Sequence, residues 1–172
     1  YRPIVPNQVV IQLKRLIPRV KPSLVHFTDN ALSPALLNTL SRELLDVPWY
    51  GFIRVTRHLA DLDFCKALKR SGCVMLQIGL ESGSQEVLDG FCKGMDLNIA
   101  QKALENLKNA GIAIYAYLLF GTPWETEADA IKTLEFTVRN SEIITFLNLA
   151  IFNLPAYGPR TDVLNASPLD SG

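Results

Sequence analysis

The sequence predicts an α/β fold organised around a parallel sheet, on three observations. Strand-like and helix-like patterns alternate along the chain, five strand segments with four helical ones between them. Most strand segments are near-continuously apolar, as expected of parallel strands in a buried sheet. At 172 residues and 48% hydrophobic, the chain is long enough for one well-buried domain.

The elements follow in order. Asn7 is expected to cap a first helix carrying Val10, Leu13 and Ile17, stopped by Pro18. "SLVHFT", residues 23–28, reads as a strand running into Asp29 and Asn30. Ser33 as N-cap and Pro34 at the first helical position then open a helix with Leu37, Leu40 and Leu44 on one face, ending before Pro48. "GFIRVT", residues 51–56, is the second strand and ends at Arg57. Asp61 caps a helix bearing Leu62, Cys65 and Leu68, closed by Gly72. "CVMLQIGL", residues 73–80, is the third strand and ends on Glu81, followed by a polar turn, Ser82-Gly83-Ser84. Asn98 opens a helix with Ala100, Ala103, Leu104 and Leu107, closed by Gly111. "IAIYAYLLF", residues 112–120, leads into Gly121-Thr122-Pro123-Trp124-Glu125. Thr126, with Asp129 three residues on, starts a helix whose inward face is expected to be Ile131, Leu134 and Val138. The last strand, residues 143–152, runs into "NLPAYGP". Residues 160–172 have few apolar positions and no period and read as a tail, which leaves residues 1–159 as the domain.

Two architectures satisfy this pattern, an open doubly wound sheet and a partial (β/α) barrel of the TIM-like kind. No G-x-G-x-x-G follows a strand to favour the first, so the barrel is preferred. In a barrel every strand's C-terminal end opens onto one rim, where such folds place their sites. The rim would collect Asp29, Asn30, Arg57, Glu81, Ser82, Gly121, Glu125 and Asn153. A core strand that ends on a carboxylate either hands it to water or aims it at a ligand, since an unpaired buried charge is costly.

Composition narrows the partners. Seventeen basic against seventeen acidic residues and a pI near 6.9 lack the broad basic footprint of a nucleic-acid binder. No apolar run approaches the roughly 18 residues of a membrane span, and the N-terminus has no signal-peptide layout, so a cytoplasmic chain is expected. Cys65, Cys73 and Cys92 fit neither a disulfide framework nor a C-x-x-C metal site and read as reduced structural residues. No metal ligand or catalytic residue is assigned. His26 reads as a core histidine, and Trp124 and Tyr157 as packing residues.

Whole phrases carry a resemblance. "VHFTDN", "RVTRHLADLDFCKALKRSGC", "LQIGLESGSQEVLDGFCKG", "ALENLKNAGIAIYAYLLFGTPWET" and "NLPAYGP" stand in the order and spacing of the radical S-adenosylmethionine (SAM) superfamily. They look most like its branch of cobalamin-dependent radical enzymes and methylthiotransferases, over roughly residues 7–159. The resemblance implies about five βα units of a (β/α)6 barrel, a [4Fe-4S] cluster on three cysteines, and SAM bound to it and cleaved to a 5′-deoxyadenosyl radical. It also implies roles at the rim. Asp29 would face the methionyl ammonium, with Asn30 beside it as a further cofactor-binding residue. Arg57 would pair the methionyl carboxylate, its other reading being a bridge to Asp61. Glu81 and Ser82 would meet the ribose, Gly121 to Pro123 would lie along the adenosyl moiety, and Asn153 to Pro155 would edge the adenine. Glu125 is read as supporting its turn, and Lys93 as solvated or shared with the family phrase.

The family's C-x-x-x-C-x-x-C cluster motif is not in this chain. The expectation is therefore a fragment of a longer enzyme, inactive alone and binding no cofactor, with SAM, the cluster and, in this branch, cobalamin belonging to the longer protein. A cluster-free ligand-binding or scaffolding module with a barrel-like fold is the alternative. The partners expected are SAM and an unidentified substrate, with no membrane or nucleic acid. The strand at residues 23–28 would be an edge, to be disordered, covered by the tail, or paired in a dimer.

Overall fold

The computed structural model describes residues 4–92 and 94–153; the expected tail at 160–172, Pro155, Tyr157 and Lys93 lie outside them. The first helix, α1 (Pro6–Val20), starts with Pro6 in its first turn, behind Val5 rather than Asn7. Pro18 does not stop it. A proline in the last turn forfeits one backbone bond, and the helix closes three residues later at Lys21, whose N–H reaches the Ile17 carbonyl.

Strand β1 (Val25–Phe27) is half the expected length and is a sheet edge among the described residues. Ser33 caps α2 (Pro34–Leu40) by accepting from the Leu36 N–H at 3.2 Å. This helix ends at Leu40, so Leu44 lies exposed rather than on the buried face. The hydroxyls of Thr39 and Ser41 donate to the Ala35 and Asn38 carbonyls, local bonds that compete with continuing the helix.

Strand β2 (Trp49–Ile53) begins two residues earlier than the pattern suggested. Trp49 is wholly buried and its indole N–H donates to the Ser71 carbonyl at 3.1 Å, which anchors the strand's start. Residues 54–56 leave the ladder, and a 3-10 turn over Arg57–Ala60 leads to Asp61, the cap of α3 (Leu62–Arg70). Strand β3 (Cys73–Glu81) is followed by a short helix, α4 (Gln85–Gly90), where a polar connection was expected. Asp96 rather than Asn98 caps α5 (Leu97–Asn109), its carboxylate accepting from the Asn98 and Ile99 amides at 2.7 and 3.2 Å. Strand β4 (Ala113–Phe120), helix α6 (Glu127–Arg139) with the expected Thr126–Asp129 capping box, and strand β5 (Phe146–Ile151) complete the order.

All five strands are parallel and lie in sequence order, β1 to β5. A doubly wound sheet reverses its order midway; this one does not, so successive crossovers curl it as a barrel wall. The core lies on one face. Ile53, Leu76, Ile78, Leu80, Ile114 and Ala116 are inaccessible there, with Leu68, Leu104 and Leu107 of α3 and α5 buried in the same cluster. The opposite face carries half-buried Tyr50, Phe52, Gln77, Tyr115 and Tyr117, the interior lining of a partial barrel, where Gln77 Nε2 donates to the Tyr117 hydroxyl at 2.9 Å. His26 is also there, exposed and stacked on Tyr50 at 4.2 Å, so it is not a core residue.

Helix α6 departs most from expectation. Ile131, Leu134 and Val138 are 50%, 60% and 62% exposed, while Asp129, Thr133 and Phe136 are its buried residues. The helix docks by hydrogen bonds rather than by its larger aliphatic residues.

Candidate S-adenosylmethionine site

Strand β3 delivers Gln77, Gly79 and Glu81 to the interior face, and two local devices re-aim the last of them. The β3–β4 register slips between Gly79 and Glu81, from Gly79 opposite Tyr117 to Glu81 opposite Leu118. Such a bulge redirects the side chain that follows it. Glu81 itself sits at φ 63, in the left-handed region that a non-glycine residue occupies at a cost of about 1–3 kcal/mol. Its carboxylate consequently lies back over Gly79: Oε1 is 2.9 Å from where a Cβ at position 79 would stand, and the Phe52 ring edge is 3.1 Å from the same point. Only glycine leaves that space open.

Glu81 and Gly79 line a cavity of about 450 Å³ with Asn30, Phe52, Arg54, Val55, Thr56 and Met95. The size falls in the range of ordinary small-molecule pockets, roughly 300–1,000 Å³. Asn30, Arg54 and Thr56 also border a neighbouring cavity with Ser33 and Pro34 at the start of α2. A larger hollow of about 680 Å³ lies at the other end of the strands, lined by Lys14, Ile17, Pro18, Lys21, Pro22 and Leu44 to Asp46. Chemistry favours the Glu81 cavity, which combines a carboxylate, a guanidinium and an amide on an apolar floor at the strands' C-terminal ends.

The residues singled out from the sequence separate into groups. Asn30 and Glu81 share the cavity. Asp29 is exposed beyond the end of β1. Arg57 is exposed on the 3-10 turn and is not in the cavity lining; Arg54 is. The missed signal was the alternation Tyr50, Phe52, Arg54, which continues the interior face of β2 by one more step. Ser82 is wholly buried, its hydroxyl 2.9 Å from the Thr133 hydroxyl. Gly121, at φ 74, donates its N–H to Glu125 Oε2, so Glu125 supports the turn as read. Pro123 and Asn153 are exposed. Trp124 packs against Gly90 and edge-on to Phe91 at 5.4 Å, a packing role.

Behind Glu81 the Ser82-Gly83-Ser84 turn is clamped to α6. Thr133 Oγ1 accepts from the Gly83 N–H at 2.9 Å, and a Cβ on Gly83 would come within 2.7 Å of Phe136 Cβ and Thr133 Cα. Ser84 Oγ lies 2.8 Å from Asp129 Oδ1 and 2.7 Å from Glu86 Oε2, sharing its one proton between two carboxylates that Lys132 also contacts, at 3.0 and 3.3 Å. Bonds from the Thr126 hydroxyl, the Ser84 hydroxyl and Lys132 hold the Asp129 carboxyl well below the usual carboxylate range.

The cysteines do not fit a cluster. Burial pushes the Cys65 thiol up to about 12, and the Cys73 thiol is raised further by the same cause. Both are buried and their thiols bond the Leu59 and Met75 carbonyls, while Cys92 is exposed. Among the described residues no group of three metal-ligating side chains comes together, and no helix is long and apolar enough to cross a membrane. SAM, by contrast, suits the donor set: an α-amino acid, a sulfonium and a ribose diol call for a cation, anions and amide groups around an apolar wall.

The chain resembles known proteins in sequence and in fold. A methyltransferase of Pyrococcus horikoshii, itself uncharacterized, is 28% identical over 97 residues, 56% of this chain and 21% of that protein. The bacteriochlorophyllide d C-12(1)-methyltransferase of Chlorobaculum tepidum is 33% identical over 72 residues, 41% of this chain and 16% of that one. The matched regions thus span about a fifth of these relatives' length. Among solved structures, the radical SAM methyltransferase TsrM of Kitasatospora setae, with cobalamin and a [4Fe-4S] cluster bound, superposes with a TM-score of 0.70 over 85% of this chain and 30% of its own, at 18% identity. The family model of the radical SAM superfamily matches residues 2–137, and the chain belongs to that superfamily.

Proposed function

We propose that this barrel holds SAM in the Glu81 cavity of a radical SAM enzyme that reductively cleaves it. The observation that carries the reading is the aim of Glu81, whose strained backbone and bulge lay its carboxylate over Gly79 inside a cavity that also holds Arg54 and Asn30.

When bound, SAM would supply a 5′-deoxyadenosyl radical and release methionine on one-electron reduction of its sulfonium by the [4Fe-4S] cluster of the complete enzyme. The chain's own residues bind and orient it. Glu81 accepts hydrogen bonds from the ribose hydroxyls. Arg54, whose planar fork matches two carboxylate oxygens, holds the methionyl carboxylate, the role first assigned to Arg57. Asn30 offers its amide to the amino-acid end, with Asp29 beside it adding negative charge toward the ammonium. Phe52, Val55 and Met95 form an apolar wall that keeps water from the sulfonium. Gly121, Pro123, Asn153 and Pro155 remain candidates for the adenine side.

A second reading, methyl transfer with cobalamin as a further cofactor, is favoured by the names of both curated relatives and by the cobalamin in TsrM.

The test is SAM binding by the complete gene product. Glu81→Ala is expected to weaken it by roughly 1.5–3 kcal/mol, the worth of hydrogen bonds to a charged group. Unchanged affinity in isothermal titration calorimetry would remove Glu81 from the site.

A further inference from the structure

We propose that Thr133 and Asp129 of α6 are positioning residues for Glu81, holding the Ser82-Gly83-Ser84 turn so that the strained carboxylate stays aimed at its ligand; this rests on the reading of Glu81 as a SAM contact.

The turn begins one residue after Glu81, and each of its three residues is fastened to the same helix. Ser82 Oγ meets Thr133 Oγ1 at 2.9 Å, the Gly83 N–H donates to Thr133 Oγ1 at 2.9 Å, and Ser84 Oγ meets Asp129 Oδ1 at 2.8 Å. Thr133 Oγ1 in turn donates to the Asp129 carbonyl at 3.0 Å, which orients its lone pairs toward the turn. Ser82, Ser84, Asp129 and Thr133 are all buried, so these bonds form away from competing water. Gly83 admits the helix so closely that a Cβ would collide with Phe136 and the α6 backbone.

A left-handed glutamate persists only where its surroundings over-determine it. Before the turn, the β3 ladder determines the backbone, slipping after Gly79 and ending with Glu81 opposite Leu118. After it, α6 does. Glu81 lies where the two meet, and its φ of 63 is the conformation that joins them. Helix α6 leaves Ile131, Leu134 and Val138 outside in order to present Asp129 and Thr133 inward, an arrangement that apolar docking alone does not explain.

The experiment is a double-mutant cycle on SAM affinity in the complete gene product, with Glu81→Gln, Thr133→Val, the double variant and Thr133→Ser. Thr133→Val is expected to bind SAM roughly tenfold more weakly, Thr133→Ser close to wild type, and the double variant no more weakly than Glu81→Gln alone, because Thr133 acts through Glu81. Amide exchange at Gly83 should accelerate in Thr133→Val. Additive losses in the double variant, or wild-type affinity in Thr133→Val while Glu81→Gln is weakened, would overturn the positioning role and leave Glu81 as a contact. Wild-type affinity in Glu81→Gln would overturn both. If Thr133→Val does not fold, Ser84→Ala replaces it in the same cycle with the same two outcomes.

Discussion

Helices α5 and α6 have thirteen residues each, and both are capped by a side chain on their first-turn amides, yet they hold to the barrel wall by different forces. Ala100, Ala103, Leu104 and Leu107 of α5 are inaccessible and belong to the same apolar layer as the β3 and β4 core residues. Helix α6 buries Asp129 and Thr133, and its C-terminal Asn140 exchanges a pair of 2.9 Å amide hydrogen bonds with Gln101 of α5. Apolar burial is strong and non-directional, so it can hold α5 without specifying the placement of any one atom. Hydrogen bonds contribute less each but demand geometry, which suits a helix that braces a strained turn beside a ligand cavity.

If that contrast is right, the largest loss of stability comes from α5. Leu104→Ala should destabilise the chain by about 2–5 kcal/mol in urea unfolding, the cost of a cavity in a packed core. A loss under about 1 kcal/mol would mean that the layer can collapse around the gap and that α5 is not the main anchor.

A pH effect should belong to α6. The Asp129 carboxyl is held below its ordinary value by the hydrogen bonds it accepts, so in the acid range the unfolded chain binds the proton that the folded chain refuses. Its contribution to stability is therefore complete above the ordinary carboxyl value, about 4, and is lost as pH falls below it. Asp129→Asn should flatten the fall in melting temperature between pH 5 and 2, taking about 5 and 2 as the ends of the carboxylate range. An unchanged acid slope would detach Asp129 from the clamp.

The smallest effect is expected on the outer side of α6. Ile131→Lys and Leu134→Lys should shift the stability of this chain by no more than about 0.5 kcal/mol, as at other exposed sites. A much greater loss in the complete gene product than in this chain would show that another element covers that face there.

Legibility followed the same divide. The parallel α/β class, the five strands and the caps Ser33, Asp61 and Thr126 could be read directly, because apolar runs and capping side chains act within a few residues. Glu81 stood out because a strand ended on a charge. Arg57 was read as the rim arginine because the end of β2 was placed three residues late; the structure brings Arg54 into the cavity lining.

Residue spacing alone prescribed where chain segments coil or extend, since those preferences are set by neighbours three and four positions away or by alternation along a strand. It could not choose the inward face of α6, where two sets of residues, Ile131, Leu134 and Val138 against Asp129, Thr133 and Phe136, each make a coherent stripe. That choice, the bulge at Gly79 to Glu81 and the left-handed φ of Glu81 were decided by tertiary structure. The partners that select them, a turn fifty residues away in sequence from Thr133 and a strand across the sheet, come within reach only once the barrel wall has formed.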